Sequence, residues 1–461
     1  MADWLTPALA YIPQWIAYQR RLADLPGCTV AVASAGKLVL DRAFGVANLG
    51  SGEALTPAHR FRVASHSKTF TAVGIMRLME AGRLRLDDPA GQHVAGLHPE
   101  VAAATIAQLL SHTAGIIRDG TDTGQWVDRR PFLDEAELRA ALAEPTVLPP
   151  NTRMKYSNHG FGLLGLVIAA VTGEAYNDWI AREVVAPAGL AHTQPDAPAG
   201  RGVKTSRGHS SRVLLGERMV IPADNCTHAL ASATGFMSTA GDLARFFATL
   251  DPAAPRSLLT PASRREMTRR QWAIPDTPGA KHYGLGIIHS QVGGSQAEEW
   301  AMFGHSGGFP GTKTQTAVLP AQDLSVSVLT NAADGAPQML LEGVVHILQG
   351  FARHGPPTSE VADWAGRWWS LGEAVDLVAM GGRVLAASPG QANPFADVPE
   401  LEVTGPDTAR IARAGGFASH GEAARLVRGR TGKVSAVMMG GAKLLEEAAL
   451  AREVRARYAN R

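Results

Sequence analysis

Lysine and cysteine are scarce in this chain of 461 residues, and neither sign of charge prevails. Only eight of its 44 basic residues are lysines, and 42 acidic residues leave a formal net charge of +2. A chain so near neutrality offers no long-range attraction to nucleic acid or an anionic membrane, so neither is an expected partner. Cys28 and Cys226 lie far apart and fit no metal-ligand spacing, so two thiols are expected rather than a disulfide. The 15 histidines include no H-E-x-x-H pair, and no metal is expected. No apolar run approaches the roughly 20 residues that span a bilayer. The N-terminus places Asp3 early and Arg20 and Arg21 late, the reverse of a secretory signal. A cytoplasmic protein is the expectation, and Asn225-Cys-Thr227 is then no glycosylation site.

What the chain does contain is ordered along its length. Residues 5–22 have Leu9, Ile12, Trp15, Ile16 and Leu22 near helical spacing. CTVAVASAGKLVLDRAFGVAN alternates and turns at Ala35-Gly36, as a hairpin does. The strand-like FRVA leads into a helix that Gly82 ends. Residues 83–240 mix Pro, Gly and short helical patterns. Strand signals return at YGLGIIHSQ, TQTAVLP and LSVSVLTNA, before the helical APQMLLEGVVHILQGFA. Early strands, a helical middle and late strands predict an α+β fold, an α/β sandwich in which one antiparallel sheet built from both ends is flanked by helices beside a helical region. RHGPPTSE at 353–360 reads as a linker, giving a domain over 1–352 and a small β, barrel-like domain over 361–461.

Ser65-His-Ser-Lys68 stands where a strand gives way to a long helix. With 23 serines and eight lysines, a Ser-x-x-Lys match alone could arise by chance. Ser34-Ala-Gly-Lys37 is a second match, dismissed because it crosses the hairpin turn. In the first, residues three apart share a helix face, so Lys68 can reach Ser65. The turns that follow are apolar on nearly every side, which predicts burial and a lowered lysine pKa. A neutral amine can take a serine proton. From this stretch alone, a helix-capping serine beside a solvated lysine explains the residues equally well.

Two further motifs decide between them. RMKYSNHGFG carries Tyr156-Ser157-Asn158, and FGHSGGFPGTKTQTAVLP carries His305-Ser306-Gly307. With GRLRLDDPAGQHV, IAQLLSHTAGI, LAEPTVLPPNTRMKYSN, VIAAVTGEAYNDWI, APAGLAHTQPD and ATGFMSTAGDLARF around them, residues 8–350 resemble the penicillin-recognising serine hydrolases. That superfamily comprises class C β-lactamases, D,D-peptidases, D-aminopeptidases and β-lactamase-like esterases. The resemblance implies that Ser65 is the nucleophile of an acyl-enzyme and that Lys68 and Tyr156 share proton transfer. It implies that Asn158 bonds Lys68 or a substrate amide, and that the N–H groups of Ser65 and Gly308 form an oxyanion hole. It also implies a metal-free and cofactor-free site. His305 replaces the lysine of familiar β-lactamases, and only part of it would be charged near pH 7. The implied substrate is a small amide or ester, with a D-amino-acid peptide or β-lactam among the options. The alternatives are a D,D-carboxypeptidase or β-lactamase proper, and a penicillin-binding sensor that is acylated without turnover. A structural relative without chemistry is a third reading.

Other features carry less. Gly160-x-Gly-x-x-Gly165 matches a dinucleotide pattern without the strand it needs. His112 reads as a packing residue. Trp126, Trp272 and Trp300 are expected in loops that line the cleft or pack beside it, and Trp368-Trp369 in the core of the C-terminal domain. Loops 118–134 and 196–225 show no ligand signature, and oligomeric state is not legible.

Overall fold

Strand β1, Gly27–Ser34, is the run GCTVAVAS and is buried along nearly all its length. It turns through Ala35 and Gly36, at φ of 49° and 71°, into β2, Lys37–Asn48. Two successive positive φ values are those of the tight hairpin turn that matches strand twist. The computed structural model describes residues 2–222, 224–277, 279–293 and 299–459. It places these strands in a nine-stranded antiparallel sheet with β3 (Glu53–Ala54), β4 (Trp272–Ala273), β5 (His282–Tyr283), β6 (Ile288–Val292), β7 (Trp300–Phe309), β8 (Thr312–Leu319) and β9 (Leu324–Thr330). The order across the sheet is β3-β2-β1-β9-β8-β7-β6-β5-β4. Early β1 pairs with late β9 from Cys28 opposite Thr330 to Ser34 opposite Leu324, so the sheet is closed by early and late strands as expected.

The chain divides into two compact units, residues 24–341 and residues 1–23 with 342–461. This is not the division the sequence suggests. Helix α1, Leu5–Leu22, belongs with the C-terminal residues because its apolar face is spent there. Trp15 is fully buried and lies where a Cβ on Gly343 would come within 2.0 Å of its ring. Tyr11 donates to Asp376 at 2.8 Å, and Gln19 Nε2 to the Pro389 carbonyl at 2.6 Å. The expected linker 353–360 begins inside the helix Pro337–His354 and is then tied in place, with Thr358 N–H donating to the Gly381 carbonyl. Residues 366–445 form an eight-stranded closed barrel. Trp364 and Trp368 sit in its core, while Trp369 is half-buried with Tyr18 packed against it. A polar helix, Glu447–Tyr458, follows; no apolar stripe announced it.

In the first unit, helix α2, Ser67–Glu80, is buried on almost every side. Phe70 stacks between Phe236 and Phe246 at centroid distances of 4.3 and 4.1 Å. Helix α3, Asn158–Thr172, is similarly enclosed. Its glycines serve packing: a Cβ on Gly162 would meet Leu138 at 2.8 Å, and one on Gly165 would meet Ser232 Oγ at 2.7 Å. The dinucleotide-like pattern is therefore a helix contact surface. Cys28 and Cys226 form no disulfide. No single helix among the described residues is long and apolar enough to cross a membrane.

Candidate active site

Ser65 occupies a single 3₁₀ turn, Ala64–His66, that runs into α2. Ala64 has φ of 47°, a left-handed conformation that costs an alanine free energy and persists only where its surroundings hold it. The holding contacts are specific. Ser67 Oγ donates to the Ala64 carbonyl and accepts from Phe236 N–H. His66 Nδ1 donates to the Val63 carbonyl at 3.0 Å, leaving Nε2 to accept from Thr316 at 3.0 Å. Burial pushes the His66 pKa down to about 4, so this ring is a neutral bolt between the turn and β8.

Lys68 is fully buried. Its Nζ lies 2.7 Å from Asn158 Oδ1, 2.8 Å from the Ala233 carbonyl and 3.4 Å from Ser65 Oγ. Desolvation drives its pKa well below the usual lysine value, opposed by the carboxylate of Asp119 and reinforced by Arg118. A neutral amine has two N–H groups for the two obligate acceptors and a lone pair left for the serine hydroxyl. Tyr156 Oη donates to Ser65 Oγ at 2.7 Å. The residue is partly exposed, but burial raises the phenol pKa above its ordinary value, so the group keeps its proton. Lysine is thus poised as acceptor and tyrosine as donor at one serine oxygen.

Helix α3 begins at the third residue of Tyr156-Ser157-Asn158. Ser157 caps it, accepting from Gly160 N–H at 2.9 Å and donating to the Ile117 carbonyl at 2.7 Å. The Asn158 amide is oriented by its partners, with Oδ1 toward Lys68 and Nδ2 donating to Asp119 Oδ1 at 2.6 Å. Buried Asp119 accepts at its other oxygen from Arg118 Nε, at 2.9 Å. No spacing in the sequence announced Asp119. His112, at φ of 61°, accepts from Ser157 N–H through Nδ1 at 3.2 Å, and its ring lies 4.2 Å from that of Tyr156. It packs the tyrosine turn from behind.

On β7, the partner strand β6 pairs only as far as Gly304. Residues 305–309 pair with β8 alone, so this stretch has a free edge inside the sheet. Gly307 presses against the turn that bears Ser65: a Cβ there would lie 2.2 Å from the Val63 carbonyl and 2.4 Å from Thr314 Oγ1. A Cβ on Gly308 would meet nothing within 4 Å. His305 departs from expectation. It is buried, its Nδ1 donates to the Ser306 carbonyl at 2.7 Å, and its Nε2 accepts from Tyr283 Oη at 2.9 Å. Burial pushes its pKa well below the ordinary imidazole value. It is a neutral ring, not the partial cation expected of it.

A cavity of about 450 Å³ joins these groups, lined by Ser65, Tyr156, Asn158, His305, Ser306, Gly307 and Gly308 together with Arg118, Asp119 and Trp126. Lys68 lies beneath it, reached through Ser65. Trp272 and Trp300 do not line it; they stand in strands β4 and β7. Lys37 is exposed at the hairpin turn, and neither it nor Ser34 lines the cavity. Among the described residues no cluster of three or more His, Cys, Asp or Glu could hold a metal ion.

Comparison with known proteins agrees in extent with this site-bearing region. A family model described as Beta-lactamase matches residues 15–348. Penicillin-binding protein 4 of Amycolatopsis lactamdurans is 28% identical over 325 residues, covering 67% of this chain and 81% of that protein. Protein flp of Staphylococcus aureus is 28% identical over 186 residues, which cover 40% of this chain but only 37% of flp. Among solved structures, a D-stereospecific amidohydrolase from a Streptomyces species is 25% identical with a TM-score of 0.60, covering 72% of this chain and 97% of that one.

Proposed function

The chain belongs to the beta-lactamase family, and we propose that it is a serine hydrolase cleaving a small amide or ester through an acyl-enzyme on Ser65. The observation that carries this is the placing of Ser65 Oγ between Tyr156 Oη at 2.7 Å and Lys68 Nζ at 3.4 Å. In attack, the Ser65 proton passes to neutral Lys68 as Oγ bonds the substrate carbonyl carbon. The electron pair of that carbonyl moves to its oxygen, where the N–H groups of Ser65 and Gly308 are the assigned donors. As the tetrahedral adduct collapses, the bond to the leaving nitrogen or oxygen breaks and Tyr156 supplies it a proton, replenished from Lys68. Water then attacks the ester on Ser65 by the same relay in reverse. Asn158 fixes the amine in place throughout.

Cavity size supports a small substrate, since sites of roughly 300–1,000 Å³ hold drug-sized molecules. Neutral His305 supplies no cation at the strand position where β-lactamases use lysine, which favours amides and esters over lactams that need a cation at that position. The D-stereospecific amidohydrolase among the similar structures makes a D-amino-acid amide the first natural bond to try.

The test is to incubate the protein with p-nitrophenyl acetate, D-alanine p-nitroanilide and a chromogenic cephalosporin, following turnover and intact mass with and without Ser65→Ala. Turnover lost in the variant is the expected result. A stable Ser65 adduct without turnover would indicate a sensor, and no adduct or turnover with any probe would overturn the reading.

A further inference from the structure

Among the described residues that line the cavity, only Arg118 and Asp119 carry formal charge. The acid is already committed. Its two oxygens accept from Asn158 Nδ2 and Arg118 Nε, and its side chain is buried. The arginine is not. Its side chain is 64% exposed, and its two terminal nitrogens make no hydrogen bond within the described residues. The bond from Nε fixes one edge of the guanidinium, and Cζ lies 5.3 Å from the centroid of the Tyr156 ring. The plane is thus held by a carboxylate and an aromatic face while its paired donors stay available at the cleft. No other lysine or arginine stands among the described residues that line the cavity: Lys68 lies beneath it, fully buried with its donors spent, and His305 is neutral.

We propose that Arg118 is a specificity residue that binds a carboxylate or similar anionic group on the substrate. This rests on the hydrolase reading of the same cleft and names its substrate class. A planar guanidinium meets a carboxylate through two parallel N–H···O bonds, and one already anchored loses little freedom in doing so. The α-ammonium of a D-amino-acid amide would then have to lie away from the Arg118 guanidinium.

The experiment uses two matched ester pairs, with spontaneous hydrolysis subtracted. On the acyl side, 4-nitrophenyl hydrogen glutarate is compared with 4-nitrophenyl pentanoate. On the leaving-group side, 4-acetoxybenzoate is compared with 4-acetoxybenzamide. The quantity read is the ratio of kcat/KM, anionic over neutral, in wild type, Arg118→Gln and Arg118→Lys. Glutamine keeps a donor for Asp119 and removes the charge. The ratio should fall about 10- to 100-fold in Arg118→Gln for at least one pair, mainly through KM, the scale of a lost charge-assisted hydrogen bond. Arg118→Lys should restore much of it, and the responding pair identifies the side that carries the anion. Ser65-dependent turnover with a ratio unmoved in both pairs would overturn this assignment and leave the hydrolase standing. Absence of turnover and of any Ser65 adduct would overturn both.

Discussion

Replacing Gly307 and Gly308 with alanine, one at a time, separates packing from chemistry at adjacent positions. At Gly307 the new Cβ would sit 2.2 Å from the Val63 carbonyl oxygen and 2.4 Å from Thr314 Oγ1, where real contacts essentially never fall below 3.0 Å. The Val63 oxygen must retreat by the better part of an ångström. It accepts from both His66 N–H and His66 Nδ1, and it precedes the strained Ala64 and then Ser65. Overpacking of this kind costs about 1–3 kcal/mol. That corresponds to a loss of several degrees in Tm, at roughly 2–4 °C per kcal/mol for domains of 150–250 residues. Moving Ser65, the proposed nucleophile, by about 1 Å can lower turnover on the order of 100-fold. Gly308→Ala meets no atom within 4 Å, so its Tm should stay within about 1 °C of wild type. Its methyl enters the cleft and should change kcat/KM unevenly between small and large acyl groups. Thermal unfolding and p-nitrophenyl ester hydrolysis read both. A Gly307→Ala protein as stable and active as wild type would refute the claim that β7 is pressed against the serine turn.

Lys68→Ala should lower kcat/KM by at least about 100-fold, the lower end for a positioned general base, and a near-wild-type rate in a folded variant would remove Lys68 from that role. The pH profile should rise as Lys68 loses its proton, at a pH well below the ordinary lysine value, and hold until the Tyr156 phenol ionises above its own. Asp119→Asn removes the carboxylate that favours the Lys68 ammonium, so the acid limb should move to lower pH; a shift upward, or none, contradicts the electrostatic assignment. Stability should also depend on pH. His66, His112 and His305 are buried with lowered pKa values, so the unfolded chain binds more protons below about pH 6.5, and Tm should fall from there toward about pH 4, where His66 itself titrates. A flat Tm between pH 7 and 5 would mean that these rings are charged in the fold or reached by water.

The parts of the fold that could be read were those that local chemistry determines. Alternation placed β1 and β2 and their turn, and an all-apolar continuation marked α2 as buried with Lys68 at its start. The three short motifs named residues that the fold brings to one cavity or, in the case of Lys68, just beneath it, although Lys68 and Asn158 are 90 positions apart. What could not be read depended on partners with no pattern of their own. Helix α1 looked like the start of the first unit until Trp15 met Gly343. Trp272 and Trp300 looked like loop residues because two-residue strands and frayed strand starts carry no alternation. His305 looked titratable because its spacing says nothing of Tyr283, which occupies its Nε2.

Asp119 shows what such unannounced partners do. A carboxylate in direct contact with Lys68 would hold the amine charged and so useless as a base. An amine with no anion nearby would have nothing to stabilise the ammonium formed when Ser65 gives up its proton. The Asn158 amide stands between them, 2.7 Å from Lys68 on one side and 2.6 Å from Asp119 on the other. It transmits the orientation and screens part of the attraction, so the resting amine can stay neutral while its protonated form still finds an anion one amide away. The same carboxylate holds Arg118 at the cleft. In the proposed mechanism Asp119 therefore couples the proton acceptor beneath the serine to the cation at the cavity wall, and its substitution by asparagine should disturb both the pH profile and the preference for anionic substrates, whereas Arg118→Gln should disturb mainly the second.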